Sequence, residues 1–158
     1  MDISFKTEEG RFNYRVCGII IHDNKILAMH DERSPYYYLP GGRVQLNETV
    51  EEAMLREIKE ELEMDINIIR PLWFNQGFFC EDVSKETYHE ICIYFLIDYS
   101  NTDLLSRGNQ FTLTENKHKH VYEWLEFEQL QHEYFYPIFL KKAIFNLPEH
   151  MQIISNYD

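Results

Sequence analysis

Glu57, Glu60 and Glu61 stand at i, i+3 and i+4, a spacing that puts three carboxylates on one face of a helix. Carboxylates that close repel one another and raise each other's pKa unless a positive charge sits among them. All-oxygen donors suit a hard, partly hydrated divalent ion, Mg²⁺ with Mn²⁺ as a substitute, better than zinc. A glutamate pair on a helix is ordinarily just a solvated face, so the surrounding residues must decide. Met54, Leu55, Ile58 and Leu62 fall within one third of the helical circumference and predict a helix over 48–62 with that stripe on the core. Ala53 lies one turn before the acidic face, where a small side chain leaves room beside the carboxylates.

The elements that would hold this helix can be read in outline. Residues 12–21 and 26–29 predict a hairpin around the turn His22-Asp23-Asn24-Lys25, and further strands are expected over 66–80, 88–98 and 120–126. Residues 31–37, broken by Pro35, read as a loop before Tyr38-Leu39-Pro40-Gly41-Gly42. The polar stretch 81–87 reads as a hairpin loop, and 100–119 as a long polar segment of a kind usually functional or mobile. Residues 127–146 predict a C-terminal helix, interrupted at Pro137. Hairpins mixed with helices favour an α/β or α+β layer fold around one mixed sheet.

The chain has 158 residues, 44% hydrophobic and 15% aromatic, which suits a single folded domain over 1–158. Its net charge of −12 repels nucleic-acid backbones and anionic membranes, so neither a duplex nor a bilayer is an expected partner. Half of that charge lies in residues 48–65, where eight acids face two bases. The stretches Cys17–Ile21 and Ile91–Ile97 are too short to span a bilayer. Met1–Lys6 lacks a basic start followed by an apolar run, so no signal peptide is expected. Cys17, Cys80 and Cys92 have no metal-ligand spacing, and two of them lie within strand-like runs, as buried thiols of a reducing cytoplasm would.

Around the three glutamates the spacing becomes specific. Gly42 is followed by five residues and Glu48, then seven residues and Arg56-Glu57-Ile58-Lys59-Glu60-Glu61-Leu62-Glu63-Met64. This run of 23 positions resembles the box of the Nudix hydrolase family (MutT-like), with Glu63 in place of the usual glycine as the one departure. The resemblance implies a Nudix-type α/β/α sandwich around a mixed β-sheet. It also implies Mg²⁺-dependent hydrolysis of a phosphoanhydride bond in a nucleoside diphosphate linked to a further group. Carried onto this sequence, Glu57 and Glu61 are metal ligands, Glu60 is a ligand or helps activate water, and the Gly41 carbonyl completes the metal sphere. Glu48 and Arg56 would pair to fix the loop against the helix, with Gly42 as a structural member of the motif. The missing glycine normally ends the helix in a left-handed conformation. Glu63 must therefore accept strain on the order of 1 kcal/mol, or the helix ends differently. Asn47 stands where glycine is frequent and is the next-best left-handed residue.

Hydrolysis also needs a base for the attacking water, and its position varies within the family. Glu90, an acid inside a strand-like run, is the first choice and Glu115 the second. Glu90 has an ordinary alternative as an edge-strand charge or an arginine's partner. Arg33 and Arg43 are placed to meet phosphates, and Tyr38 or another aromatic near the glycines to stack on a base, although surface and core are the default positions for such residues. His118 and His120, in a Lys-rich stretch, are expected to be exposed. The substrates open to such an enzyme are ADP-ribose, a modified nucleoside triphosphate, a dinucleoside polyphosphate or a nucleotide sugar. Dimers are common in the family, so a homodimer is open to this chain. The rival function is a non-catalytic nucleotide-binding sensor of the same fold, against which the full set of glutamates and Arg56 argues. Allylic diphosphate isomerisation would need a reactive cysteine, and none stands out.

Overall fold

The computed structural model describes residues 1–158. Eleven strands form two sheets: β1 (Ser4–Lys6), β2 (Arg11–Ile19), β3 (Ile21–His22), β4 (Lys25–Asp31), β5 (Ser34–Tyr38), β6 (Gly41–Arg43), β7 (Asn67–Cys80), β8 (Thr87–Asp98), β9 (Gln110–Glu115), β10 (His118–Glu126) and β11 (Gln152–Tyr157). The larger sheet runs β1-β2-β8-β7-β11 with β6 beside β2. It is mixed, because β2 pairs parallel with β8 and β11 parallel with β7, while the remaining pairs are antiparallel. The smaller sheet, β3-β4-β10-β9 with β5 beside β4, is antiparallel.

Helix α1 (Val50–Leu62) packs on β2, β6 and β9. Its start is fixed by a capping box, in which Thr49 Oγ1 accepts from the Glu52 N–H and Glu52 Oε2 accepts from the Thr49 N–H. Glu48, the first residue of the expected 48–62, therefore lies in the turn before the helix, which starts two residues later. Ala53, Met54, Ile58 and Leu62 are fully buried in a core shared with Val16, Leu27 and Phe95, each large side chain contributing about 1.5–3 kcal/mol. Leu55, expected in that stripe, is instead 43% exposed. The buried arc is centred nearer to Ala53, and this draws Glu57 and Glu61 inward with it.

A second core on the other side joins Ile19, Trp73 and Tyr94 to Leu130, Phe135, Leu140 and Ile144. The expected helix over 127–146 is absent as such. That stretch forms a 3-10 turn at Gln129–His132 and a short helix α2 (Leu140–Ala143), separated by Pro137. With α1 on one side and these segments on the other, the layers are those of the α/β/α sandwich. Residues 34–38 form a strand rather than a loop: Pro35 costs no ladder bond because β5 meets β4 at Ser34 and Tyr38, and Phe135 at Tyr37. Within 100–119 lie a 3-10 turn at Leu104–Arg107 and strand β9.

Candidate functional site

The loop before α1 is built around two close approaches. A β-carbon on Gly41 would lie 2.1 Å from the Val16 carbonyl oxygen, and one on Gly42 would lie 2.3–2.5 Å from the Glu57 carboxyl. Only glycine lets the strand pass this near to β2 and to the helix. Gly41 N–H then donates to Glu61 Oε1 at 3.2 Å, tying the loop to the last turn of α1.

Arg56 clasps the same loop from the other side. Its Nε and Nη2 donate to the two Glu48 oxygens at 2.6 and 2.8 Å, Nη2 also reaches the Arg43 carbonyl at 3.0 Å, and Nη1 reaches Glu57 Oε1 at 2.8 Å. The Arg56 bond holds the Glu48 carboxyl below its ordinary pKa. Glu48 also accepts from the Gln45 N–H at 3.0 Å. Asn47, in the same turn, is left-handed at φ 69°.

Glu61 is 6% exposed. Burial, and next the Glu57 charge, push its carboxyl well above the usual range. Burial also raises Glu57, despite the Arg56 bond, and the Glu57 and Glu61 carboxyls interact directly. Glu60 differs: its side chain is 50% exposed and stands 3.4 Å from Arg56. Glu115 on β9 brings further negative charge against Glu61, and its Oε2 is buried without a hydrogen-bond partner. The side chains alone do not close into a three-ligand cluster. The donor set nonetheless fits a hard divalent cation, because a buried carboxylate pair and an orphaned third carboxylate oxygen are stable only with a proton or a cation among them.

Glu63 ends the helix at φ 56°, ψ 41°, with its N–H bonded to the Lys59 carbonyl. It thus accepts the left-handed conformation, while Arg107 Nη1 donates to the Leu62 carbonyl at 2.7 Å. Glu63→Gly is expected to relieve about 1 kcal/mol of strain and raise Tm by about 2–4 °C. An unchanged or lower Tm in a thermal melt would show that the strain is not stored there.

A cleft of about 750 Å³ opens beside Gly42, Tyr38 and Glu115. Arg33, Arg43 and Glu90 also line it. Arg33 is not free: Asp31 accepts from its N–H, Nε and Nη2, the last at 2.6 Å. Tyr38 donates to Asp31 Oδ2 at 3.0 Å. Burial would raise the Asp31 carboxyl, but these bonds hold it below its ordinary value. Arg43 stands 3.9 Å from Asp2. His120, expected to be exposed, is 6% exposed and lies 3.8 Å from Asp31 and 3.5 Å from Arg33. His118 is half-buried and bonded to Glu32. Alternation along β10 puts His120 on the buried face with Tyr122 and Trp124, while His118, on the same side, is the strand's first residue and is less covered. Cys17 and Cys92 are buried and free, and Cys80 is exposed.

Sequence reasoning missed Asn13 and Arg15, which lie on the cleft floor beside Glu90. Their signal was available: Arg11, Asn13 and Arg15 alternate with Phe12, Tyr14 and Val16 along one strand.

A model of the NUDIX domain family matches residues 12–145. An ADP-ribose pyrophosphatase of Methanocaldococcus jannaschii is 39% identical over 92 residues, 56% of this chain and 52% of that protein. A putative nudix hydrolase of Caenorhabditis elegans is 30% identical over 83 residues, 43% of this chain and 23% of that protein. The chain thus spans about half or less of these two relatives' length. Nucleoside triphosphatase NudI of Escherichia coli is 31% identical over 129 residues, 74% of this chain and 84% of that protein. Among solved structures, a MutT protein from Methanosarcina mazei superposes with a TM-score of 0.58 at 19% identity, covering 85% of this chain and 91% of that one. A mutator MutT protein from Bacillus halodurans gives 0.60 at 11% identity, covering 92% and 89%. At these identities the two superpositions speak for the fold. The family model runs from β2 through α1 to the end of the second core, so the chain belongs to the NUDIX domain family.

Proposed function

We propose that this chain hydrolyses a phosphoanhydride bond in a nucleoside diphosphate linked to a further group, in a reaction dependent on a divalent cation. The observation that carries this reading is the Glu57–Glu61 pair, held together and buried at a cost that only a cation or a proton offsets. Glu57 and Glu61, with the Gly41 carbonyl and with Glu60 turned in from the surface, would hold Mg²⁺ or Mn²⁺. When bound, such an ion supplies charge neutralisation at the phosphoryl oxygens and lowers the pKa of water. Arg43, and Arg33 fixed by Asp31, would orient the phosphates, with Tyr38 beside them. The relatives' names, a pyrophosphatase and a triphosphatase, agree with this class and leave the further group open. ADP-ribose, a modified nucleoside triphosphate, a dinucleoside polyphosphate and a nucleotide sugar all belong in the test. Two buried free thiols suit a reducing, cytoplasmic setting. No helix is long and apolar enough to cross a membrane.

For the base, Glu115 is preferred to Glu90. Its Oε2 has no partner and its charge bears on Glu61, whereas Glu90 already accepts from Asn13 Nδ2 at 3.2 Å. Phosphate release should be followed across the substrate panel with Mg²⁺. Turnover of none would favour the sensor reading. Glu115→Gln is expected to lower kcat by about 100-fold or more, and an unchanged kcat would rule Glu115 out as the base.

A further inference from the structure

Beyond the carboxylates, the cleft floor carries polar side chains that the hydrolytic reading leaves unused. Asn13 and Arg15 alternate along β2 and so face one side of the sheet. In the strand pairing, Arg15 lies beside Arg43 of β6, and Asn13 beside Glu90 of β8. Glu90 in turn faces Gly77 of β7, whose missing side chain leaves the floor open, and Gly77 faces Asn156 of β11. All of these residues line the cleft. The floor therefore runs from the Gly42 loop, past two guanidinium groups, to an end made of Asn13, Glu90 and Asn156.

Two atoms on this floor are buried without a hydrogen-bond partner: Asn13 Oδ1 and Arg15 Nε. Asn13 is only 3% exposed. Its Nδ2 donates to Glu90 Oε2 at 3.2 Å, which fixes the amide's orientation and turns Oδ1 away. A buried donor or acceptor left unmade costs free energy, and both of these atoms belong to residues that border a cavity. Burial alone would lower the Arg15 pKa, but the neighbouring Glu90 carboxylate holds the guanidinium charged.

The inventory is asymmetric. Arg15 can only donate, while the Glu90 carboxylate and Asn13 Oδ1 can only accept. The complementary ligand edge has two donors beside one acceptor. Adenine and cytosine offer one amino group beside an imine nitrogen, and uracil and thymine offer one N–H between two carbonyls. Guanine alone among the common bases places N2–H, N1–H and O6 in a row.

We propose that Arg15, Asn13 and Glu90 read a guanine base on the substrate, with Arg15 donating at O6 and Glu90 and Asn13 Oδ1 accepting from N1–H and N2–H. This rests on the hydrolytic reading for the rest of the substrate and names its base. The order along the floor agrees, since phosphates would lie by Arg43 and the metal pair, and the base towards Glu90. Phe79 and Tyr88, stacked at 5.1 Å, line the cleft on the far side of Gly77 and Glu90, and Pro137 and Ile138 add apolar lining. Such surfaces favour a stacked heterocycle.

The test is calorimetric titration of GMP, AMP, CMP and UMP, which contain no phosphoanhydride to cleave, into the full chain with Mg²⁺. GMP is expected to bind at least about tenfold more tightly than the other three. Glu90→Gln turns one of the two acceptor oxygens into a donor at nearly constant shape; with the remaining oxygen facing Asn13 Nδ2, it is expected to bring GMP to the level of the others. Arg15→Gln, read in the same titration, should do likewise and guards against a folding defect peculiar to Glu90. Equal affinities, preference for another base, or no binding of any of the four would overturn the proposal. With a guanosine phosphoanhydride as substrate, the Glu90→Gln effect should appear in KM. A loss confined to kcat on every substrate would place Glu90 among the reacting groups and overturn it too. Hydrolysis without base preference sinks the guanine assignment alone; GMP preference without hydrolysis sinks the hydrolytic reading alone.

Discussion

Glu61→Gln is expected to lower kcat by at least two orders of magnitude on whichever substrate the enzyme turns over, in line with the loss of a preorganised electrostatic group. The side chain is buried, bonded to the Gly41 N–H, and close to Glu57. Glutamine keeps the shape and the Gly41 bond but removes the charge that a cation needs. Stability should move the other way. The folded pKa of Glu61 lies above its unfolded value, so the folded state binds the proton more tightly. That contribution is complete below the ordinary glutamate range and is lost as pH rises through the folded value. With metal chelated, the wild type should therefore lose stability between acidic and neutral pH, and Glu61→Gln should lose less. Added Mg²⁺ should raise the Tm of the wild type and leave that of the variant nearly unchanged. Activity of the variant equal to wild type would refute the assignment, whatever the melting curves show.

Arg56→Ala is expected to be the most destabilising change in the loop–helix region, by about 3–5 kcal/mol, because it strands partly buried carboxylates. Glu48 would lose both of its charged bonds, Glu57 its nearest cation, and the Arg43 carbonyl a donor. For a chain of this size the loss corresponds to a fall in Tm of about 6–20 °C. Arg56→Lys should recover only part of it, since an ammonium cannot match the two-pronged contact with Glu48. Chemical denaturation of the three proteins measures the differences. A loss under 1 kcal/mol for the alanine variant would mean that the clasp is a surface pair of little consequence.

How much of this could be read in advance follows from the range of the interactions. The helix, its acidic face and the Glu48–Arg56 link depend on spacings within about 20 residues, and those were legible. The orientation of α1 was not fully so. Leu55 falls within the apolar stripe on a wheel, but the buried arc extends instead from Leu62 round to Ala53, on a helix packed against β2, β6 and β9. The C-terminal half was least legible. Apolar residues between 127 and 146 fit a helical period, yet they fill a core from 3-10 and extended segments around Pro137. Strand β11 forms only because β7 offers it a distant edge. His120 was misplaced for a different reason, since its lysine neighbours suggest a loop while the alternation with Tyr122 and Trp124 gives the strand. The cleft floor joins residues from β2, β7, β8 and β11, so no single window of sequence contains it.

The last turn of α1 is the one fastened from outside: Tyr122 donates to the Glu61 carbonyl at 3.0 Å and Arg107 to that of Leu62. Peptide dipoles aligned along the helix accumulate partial negative charge at this end, where Glu61 lies. The backbone therefore adds to the field of the carboxylates, less what the Arg107 charge offsets at Leu62. Because two side chains from other elements hold the turn, that field is not dispersed by fraying. The fold presents a cation with a fixed well of negative potential, of which the glutamate side chains are only the visible part.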